Sequence, residues 1–252
     1  MNSVLSMKRI VIIGASSGLG MQMALDFASM GWRVGAMARK KSRLEELRSQ
    51  NPDRIKVLPI DVCAEDATDS LQTMIDILGG MDILLYAAGT GWHNPGLDPA
   101  KELNTVNVNV AGFTRIVTAA YHYFKNNNLE GRIAVISSVA GTKGLGVAPA
   151  YSASKRYEWN YLQALKQLIR AQKLPIGITD IRPGFMNTAL LADNPKKDQL
   201  PMLMDVKKSA RRIEKAIMRG KRVATIDGRW SALCSLWRLL PDCVWERLRI
   251  ML

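Results

Sequence analysis

Short apolar runs alternate with amphipathic stretches along most of this chain. Seven of the runs are short and almost entirely apolar, which is typical of strands that are buried on both faces of a sheet. In chain order they are RIVIIG, WRVGAMA, IKVLPI, MDILLYA, RIAVIS, PIGITDI and RVATI. Their alternation with helical stretches predicts βαβ units. We therefore expect an α/β protein with a doubly wound parallel sheet of about seven strands and helices on both faces.

No feature of the sequence divides the chain into separate units. It contains no internal repeat, no low-complexity segment and no linker rich in Pro, Gly or Ser. Residues 1–252 are therefore expected to form a single domain. Within it, the polar stretch 186–208, which carries Pro195 and Pro201, predicts a mobile lid, and 229–252 is an apolar tail.

A glycine-rich stretch, GASSGLG, joins the first predicted strand to the first predicted helix. Gly14, Gly18 and Gly20 permit a tight turn and a close backbone approach, and the helix N-terminus offers free N–H groups to a pyrophosphate. A glycine cluster alone could serve only as a tight turn. Its place at the start of a βαβ series favours dinucleotide binding. The same loop supplies further expected contacts in Ser16, Ser17 and Leu19.

The GxxxGxG spacing of this loop opens an ordered series of motifs that resembles the short-chain dehydrogenase/reductase family. The later members of the series are Asp61-Val62, Ala88-Gly89, NVAG with Asn109, ISSVAG with Ser138, YSASK, and Pro183-Gly184 with Thr188. The resemblance covers most of the chain and implies a Rossmann-type fold whose one domain both binds a dinucleotide and catalyses the reaction. It implies a catalytic set of Asn109, Ser138, Tyr151 and Lys155. It implies cofactor contacts from Asp61, Val62, Ala88, Gly89, Tyr151, Lys155, Pro183, Gly184 and Thr188.

The chain departs from the family pattern after the fourth predicted strand. Many relatives have Asn-Asn-Ala-Gly there, whereas this chain has Tyr86-Ala87-Ala88-Gly89. Both asparagines are missing, and with them the side-chain hydrogen bonds expected to brace the sheet near the cofactor. Ala88 and Gly89 still permit a close backbone approach, so the departure concerns local structure more than family membership.

Cofactor preference is expected to be decided after the second predicted strand, in AMARKKS. An NADH-preferring site usually places a carboxylate there for the ribose 2′-hydroxyl, whereas a 2′-phosphate requires cations. The chain offers Arg39, Lys40 and Lys41, and no acid occurs before Glu45. Arg39 suits bidentate phosphate binding, which favours NADP(H) over NAD(H). Alternatively, these residues are only exposed cations at the start of a helix.

Two stretches, YHYFK and YSASK, place a lysine four residues after a tyrosine, on one face of a helix. A phenol with a pKa of about 10 needs a nearby cation to exchange protons near neutral pH. Tyr121 lies late in a long helix before the run KNNN, so Lys125 is expected to face solvent. Tyr151 instead follows Ser138 and has Lys155 one turn away. We interpret YHYFK as structural and YSASK as catalytic.

These motifs favour an NAD(P)H-dependent oxidoreductase in which Tyr151 is the general acid or base. The reaction would reduce a ketone, an aldehyde or a 3-oxoacyl group to an alcohol, or run in reverse. By resemblance, Lys155 would also bind the nicotinamide ribose, Ser138 would polarise the carbonyl, and Asn109 would position a proton-relaying water. One alternative is a non-catalytic NADP(H)-binding scaffold or sensor. Another is a dehydratase or epimerase on the same fold.

The substrate pocket is expected between the loops GTGWHNPGL, from Gly89, and GTKGLGVAP, from Gly141. They are mostly small and apolar and include Trp92, which favours a moderately hydrophobic carbonyl compound. A 3-oxoacyl chain on an acidic carrier protein would also suit a basic protein. The resemblance further implies a homodimer or homotetramer built on the long helices near Asn109 and Tyr151.

The formal net charge of +13 is a feature that the motifs do not explain. Many of the cations fall late in the chain, at Lys196, Lys197, Lys207, Lys208, Arg211, Arg212, Lys215, Arg219, Lys221 and Arg222. Such a cluster attracts anionic partners, and it is equally consistent with a solvated helix face. Nucleic acid fits poorly, because no aromatic residues interleave with the cations and no DNA- or RNA-binding motif is present.

The remaining composition indicates a reducing, cytoplasmic environment and no structural metal. The three cysteines are too few for a disulfide framework, and His93 and His122 have no partners at metal-ligand spacing. The apolar start of the chain stops at the glycine-rich turn without a cleavage pattern, and no stretch is apolar enough to span a bilayer.

The tail WSALCSLWRLLPDCVWERLRIML has helical periodicity before Pro241 interrupts it. Its large apolar residues at this spacing are Trp230, Leu233, Trp237 and Leu240. We expect the tail to pack over the substrate cleft or against another subunit. Alternatively, the arginines among these residues would let it rest on a membrane surface.

Overall fold

The structure is a computed structural model and describes residues 8–188, 200 and 202–248. Its strands are β1 (Arg9–Ile13), β2 (Arg33–Ala38), β3 (Ile55–Pro59), β4 (Ile83–Tyr86), β5 (Gly131–Ile136), β6 (Ile176–Pro183) and β7 (Val223–Ile226). They form one sheet in the order β3-β2-β1-β4-β5-β6-β7, and every neighbouring pair is parallel. The predicted doubly wound parallel sheet is therefore confirmed.

Helices connect the strands and cover the sheet. They are α1 (Gly18–Ser29), α2 (Lys41–Ser49), α3 (Ala67–Leu78), α4 (Pro99–Val106), α5 (Phe113–Asn126), α6 (Pro149–Ala171), α7 (Val206–Met218), α8 (Gly228–Leu239) and α9 (Asp242–Trp245). A π-helical turn, Asn107–Gly112, joins α4 to α5, and a 3₁₀ turn, Val139–Thr142, follows β5. Among the described residues, no helix is both long and apolar enough to cross a membrane.

The core lies in two layers because successive side chains of a strand point to opposite faces of the sheet. In β1, Ile10 and Ile12 pack into the layer that contains α1 and α7, whereas Val11 and Ile13 pack into the layer with α3 and α5. All four side chains are fully buried. This burial on both faces explains why the strands read as continuous apolar runs.

Tyr86, one of the residues that replace the family asparagines, braces the sheet in another way. Its ring is fully buried at the end of β4 and contacts Phe113 edge to face. Its hydroxyl donates a hydrogen bond of 3.3 Å to the carbonyl of Val108, within the π-helical turn. The tyrosine thus connects β4 to this turn across the layer where the missing amide side chains were expected to act.

The π-helical turn brings a helix against the segment that follows β3. A side chain at Gly112 would lie 2.6 Å from Cγ2 of Val62, so the glycine of NVAG is required for this contact. The carbonyl of Val62 also accepts a 2.7 Å hydrogen bond from Nη1 of Arg115. Such turns often occur at functional sites, because the extra residue changes the direction of the side chains.

The structure describes two predicted surface features to different extents, the lid and the group of late cations. Residues 189–199 and 201 of the expected lid, at about 186–208, lie outside the described part of the chain. The last residues of that range belong to α7, which begins at Val206 behind an Asp205 cap. The late cations within α7 are exposed while Ile213 and Ile217 are buried on its other face. This arrangement agrees with a solvated helix face.

Glu214 of α7 lies beside Asp26 of α1 where the two helices pack. Its Oε1 is buried and receives no hydrogen bond from any described residue. Burial, together with hydrogen bonding to Asp26 and repulsion from its charge, raises the pKa of Glu214 to about 8. The folded state therefore favours the protonated form, which supplies the missing donor between the two carboxyl groups.

We predict that Glu214→Gln removes a pH-dependent cost to stability. The pKa of Glu214 is higher in the folded state than the ordinary 4.5, so its ionisation destabilises the fold as the pH rises from about 4.5 to about 8. The unfolding temperature of the variant should exceed that of the unchanged protein at pH 9 but not at pH 4. Glu65→Gln, at an exposed position, serves as the control. An equal effect at both pH values would contradict the prediction.

Candidate active site

A cavity of about 710 Å³ opens at the carboxyl ends of the central strands. It lies where the strand order reverses between β1 and β4, which is the usual position of a ligand site in an open α/β sheet. All the predicted cofactor contacts line it: Gly14, Ser16, Ser17, Gly18, Leu19, Gly20, Arg39, Asp61, Val62, Ala88, Gly89, Tyr151, Lys155, Pro183, Gly184 and Thr188. Ser138 lines the same cavity, whereas Asn109 does not.

The glycine loop fits a pyrophosphate because it leaves no room for side chains. Gly14 has a φ of +92°, and a side chain there would meet the backbone nitrogen of Ala88 at 2.5 Å. A side chain at Gly20 would overlap the carbonyl oxygen of Gly14. Helix α1 begins at Gly18, and no acid occupies its first turn. Its free N–H groups and positive dipole end can therefore receive an anion.

Cations gather at one end of the cavity, beside the carboxyl end of β2. Arg39 and Lys40 are exposed and line the cavity, as does Arg43 on the first turn of α2. Lys41 does not line it. Sequence reasoning missed Arg43, although a cation three residues into a helix that follows Lys40 could have been considered. Asp61 lines the cavity after β3.

Helix α6 carries the YSASK motif, and its N-terminus is held by an acid from another helix. Glu102 on α4 accepts a 2.9 Å hydrogen bond from the backbone nitrogen of Ala150 and a 2.7 Å bond from Nδ2 of Asn94. A carboxylate at this end of a helix satisfies a free N–H group and the helix dipole. Gly91 lies so close to the Tyr151 ring that a side chain there would overlap it. These contacts fix the position of Tyr151.

Lys155 lies one turn after Tyr151, with its ammonium 5.8 Å from the centre of the phenol ring. The side chain is almost fully buried, and Nζ donates to the carboxylate of Glu158 and, at 3.4 Å, to the carbonyl of Ile136 at the end of β5. Burial lowers the pKa of Lys155, but the charge and hydrogen bond of Glu158, together with the charges of Tyr151 and Asp180, outweigh it, so the pKa is raised overall. The ammonium is therefore charged beneath the phenol. Sequence reasoning missed Glu158.

Asn109 is fully buried and uses its side chain as a brace. Its Oδ1 accepts from the backbone nitrogen of Thr90 at 2.8 Å, and its Nδ2 donates to the Thr90 carbonyl at 2.7 Å. Nδ2 also donates to Oγ of Ser154, which in turn donates to the carbonyl of Tyr151. The amide thus connects the segment after β4 to the helix that carries the tyrosine.

Ser138 follows β5 and caps the 3₁₀ turn. Its Oγ accepts a 3.1 Å hydrogen bond from the backbone nitrogen of Ala140, which leaves its hydroxyl hydrogen available on the cavity side. The neighbouring Ser137 also lines the cavity, but its hydroxyl donates to Asp180 at 2.6 Å. Of the two serines, only Ser138 therefore keeps a hydroxyl hydrogen that no described residue accepts.

Tyr121 lies in a different environment, as YHYFK was predicted to. It does not line the cavity, and its hydroxyl donates a 2.7 Å hydrogen bond to Oε1 of Gln172, just after α6. Lys125 is exposed, with its ammonium 5.6 Å from the centre of the Tyr121 ring. The same spacing thus places one pair beside the cavity and the other at a helix end.

The tail packs over the tyrosine side of the cavity. Trp237 and Trp245 form an edge-to-face pair with ring centres 5.3 Å apart, and Trp245 is buried with Ala140 and Leu145 against Tyr151. Nε1 of Trp245 donates to the carbonyl of Gly144 at 2.7 Å. The cavity wall on this side is mostly apolar: Trp92, Leu145, Val147, Phe185, Met186, Trp230 and Trp237. Packing over the cleft is therefore observed for the described part of the tail.

A glycine-rich crevice at the carboxyl ends of the strands, beside the helix that carries Tyr151 and Lys155, is typical of dinucleotide-binding α/β proteins. Comparison with known sequences leads to the same class of protein. A profile described as short chain dehydrogenase matches residues 8–199. An uncharacterised oxidoreductase of Mycobacterium tuberculosis is 30% identical, with 95% of this chain and 96% of that protein covered. The farnesol dehydrogenase of Aedes aegypti is 30% identical, with 74% and 80% covered. The chain belongs to the short-chain dehydrogenase/reductase family of oxidoreductases.

Solved structures have the same fold. A 3-ketoacyl-(acyl-carrier-protein) reductase from Brucella melitensis, complexed with NADH, is 26% identical with a TM-score of 0.77, and the match covers 89% of this chain and 98% of that one. A short chain dehydrogenase from Burkholderia cenocepacia, in complex with NADP, has a TM-score of 0.80 at 19% identity, with 96% and 98% covered. The Rossmann-type assignment is therefore confirmed.

We predict that Trp245→Ala loosens the tail over the cavity. The change removes a buried ring and its hydrogen bond to Gly144. For a well-packed aromatic side chain, such a change lowers the free energy of unfolding by about 3–5 kcal/mol. Amide hydrogen exchange should become faster in residues 141–148 and 228–248 and remain unchanged in β1. Leu239→Ala, at a largely exposed position on α8, is the control and should have little effect. Unchanged exchange in Trp245→Ala would show that the ring does not hold the tail.

Proposed function

We propose that this protein reduces a carbonyl compound with NADPH, or oxidises the corresponding alcohol with NADP⁺. The observation that supports the proposal most directly is the convergence on one cavity of the glycine loop, Ser138, Tyr151 and the buried Lys155. Proton transfer, carbonyl polarisation and dinucleotide binding each have a residue type suited to them within this space. The alternative of a non-catalytic scaffold gains no support from the relatives, several of which are named as oxidoreductases.

In this proposal the cofactor supplies or accepts the hydride, and the chain supplies everything else. Residues of the glycine loop and the α1 N-terminus hold the pyrophosphate, with Asp61 and Val62 at the adenine end. Lys155 binds the nicotinamide ribose and stabilises the Tyr151 phenolate. Ser138 donates a hydrogen bond to the carbonyl oxygen, and Tyr151 gives that oxygen its proton as negative charge develops.

Asn109 has a more specific role in this proposal than the sequence indicated. Because its amide is bonded to both backbone groups of Thr90, it holds the segment that contains Gly89 against the cofactor side of the cavity. Through Ser154 it also supports the backbone of Tyr151. The water that Asn109 would position to relay protons, which we expected from the family resemblance, remains part of the proposal. A side chain on Gly89 would lie 3.5 Å from Oδ1 of Asn109.

The substrate in this proposal has an apolar body next to its carbonyl group. The aromatic and aliphatic wall formed by Trp92, Leu145, Val147 and the tail favours such a molecule. The names of two relatives, a farnesol dehydrogenase and a 3-ketoacyl-(acyl-carrier-protein) reductase, are consistent with this chemistry. A panel of apolar ketones, aldehydes and 3-oxoacyl thioesters, assayed by NADPH oxidation, would identify it.

A homodimer or homotetramer is also part of the proposal. Leu103 and Val106 on α4 and Leu168 on α6 are more than 40% exposed, which is unusual for large aliphatic side chains on neighbouring helices. Association through these helices would cover them. Sedimentation of the purified protein would measure the assembly, and a monomer at all concentrations would exclude it.

The cations after β2 lead us to predict that Arg39→Asp inverts the cofactor preference. The unchanged protein should bind NADPH more tightly than NADH, because Arg39, Lys40 and Arg43 can face a 2′-phosphate. An aspartate would repel that phosphate and accept from the 2′-hydroxyl of NADH. Fluorescence titration measures both affinities. Arg48→Asp, outside the cavity on α2, should not change the preference, and equal affinities in the unchanged protein would refute the assignment.

We predict that Tyr151→Phe lowers turnover by at least about 100-fold, the typical effect of losing a general acid, while cofactor affinity changes little. Tyr121→Phe should remain active, because its hydroxyl bonds only to Gln172 among the described residues. Lys155→Met should lower both turnover and cofactor affinity. Single-turnover NADPH oxidation and cofactor titration test all three variants. An inactive Tyr121→Phe beside an active Tyr151→Phe would reverse the catalytic assignment.

A further inference from the structure

The ammonium of Lys155 and the carboxylate of Glu158 form an ion pair in the protein interior. Nζ lies 2.8 Å from Oε1 and 3.1 Å from Oε2, and the two side chains are 4% and 0% exposed. The residues are three apart on α6, so the carboxylate approaches the lysine from the side away from Tyr151 along the helix. Among the described residues, no other donor contacts Glu158.

The charged and titratable groups around this pair come from α6 and two strands. On α6, Tyr151 lies beside Lys155. On β4, Tyr86 is close enough that the charge of Glu158 adds to the rise in the pKa of its buried phenol. On β6, Asp180 adds a second negative charge. Tyr86 is committed to the carbonyl of Val108.

Asp180 is not free to serve as the partner of Lys155. Its Oδ2 lies 2.6 Å from Nη2 of Arg182, and its Oδ1 accepts from Ser137 at 2.6 Å. Arg182 also stacks on the ring of Trp159, with its guanidinium carbon 3.6 Å from the ring centre. These contacts commit both oxygens of Asp180 to other partners, so its charge acts on Lys155 only from a distance. Glu158 is therefore the carboxylate that is left to balance the buried lysine.

Each member of the pair favours the charged form of the other. Burying an ammonium or a carboxylate is strongly unfavourable unless it is paired. Burial raises the pKa of Glu158 to about 7, although attraction to Lys155 opposes this rise. Burial likewise lowers the pKa of Lys155, and Glu158 makes the largest contribution to reversing that effect, beside smaller ones from Tyr151 and Asp180. A neutral Lys155 could neither stabilise a phenolate nor act as a charged donor to the ribose.

We propose that Glu158 is the buried counter-ion that keeps the ammonium of Lys155 charged and in position beneath Tyr151. Glu158 is thus a positioning residue that acts through Lys155, and its importance for the reaction rests on the proposed carbonyl reduction. The ammonium has three N–H donors. Two can bond to Glu158 and the third makes the long 3.4 Å contact with Ile136, which is the contact most easily exchanged for a ribose hydroxyl.

The first test measures thermal unfolding of the cofactor-free protein against pH and needs no activity. In Lys155→Met the unpaired Glu158 must be protonated to stay buried, so the loss of stability should grow as the pH rises from 5 to 9. In Glu158→Gln the buried ammonium of Lys155 has no charged partner. The loss of stability should therefore be greatest at low pH, where Lys155 is protonated, and diminish as the pH approaches 10. The double variant should recover most of the unfolding temperature and lose both pH dependences.

The second test measures the effect on the reaction. In Glu158→Gln, the amide oxygen still accepts a hydrogen bond from Nζ but carries no charge, so a role limited to packing would leave the pH profile unchanged. We expect the alkaline limb of the reduction rate to move to lower pH by about one unit, the size of effect typical of a close charge partner. The affinity for NADPH should weaken over the same range. Glu45→Gln, which removes the exposed partner of Arg48, is the matched control and should change neither profile.

The two tests separate this inference from the proposed function. If no carbonyl is reduced but the unfolding temperatures show the opposite pH dependences and NADPH affinity weakens as expected, the counter-ion role stands and the proposed reaction fails. If the two single variants have the same pH dependence, or the double variant is no more stable than either, the counter-ion role is wrong. If the stability effects appear but neither the rate nor the NADPH profile moves, Glu158 does not act on the site through Lys155, and the inference is overturned.

Discussion

The reversal of strand order between β1 and β4 is the constraint on which the rest of the site depends. The connections on the two sides of this point leave in opposite directions, so a crevice opens at the carboxyl ends of the strands. The loop after β1 and the segment after β4 meet there, which is why Gly14 must approach Ala88 so closely. Ser138 after β5 and Tyr151 on α6 reach the same edge. One topological feature therefore brings together residues that are far apart in the sequence.

Much of this arrangement could be predicted from the sequence. The strands were predictable because a parallel sheet leaves continuous apolar runs. The motifs around Tyr151 also distinguished it from Tyr121 at identical helical spacing. Glu158 could not be predicted in the same way, since an acid on an amphipathic helix is usually exposed, and its burial depends on where α6 meets the sheet. The hydrogen bond from Tyr86 to the π-helical turn likewise depends on the distance between two segments that only the fold brings together.

The polar groups behind the cavity bond to one another, and this limits which of them could exchange a partner when a ligand binds. Asp180, Arg182 and Ser137 satisfy one another, and each has more than one partner. The pair of Lys155 and Glu158 has fewer alternative partners, and Lys155 lines the cavity. A buried ion pair adds little net stability compared with an apolar replacement, which is consistent with the role at the site that we propose for it.

The π-helical turn also sets the rotational phase between the two halves of one long helix. If residues 107–112 wound as an ordinary α-helix with no residue removed, everything after them would be rotated by about 100°. Phe113, Ile116 and Val117 would then leave the sheet, and Asn109 could no longer face Thr90. Helix α5 therefore depends for its packing on a local widening of the helix in front of it, which takes up one extra residue.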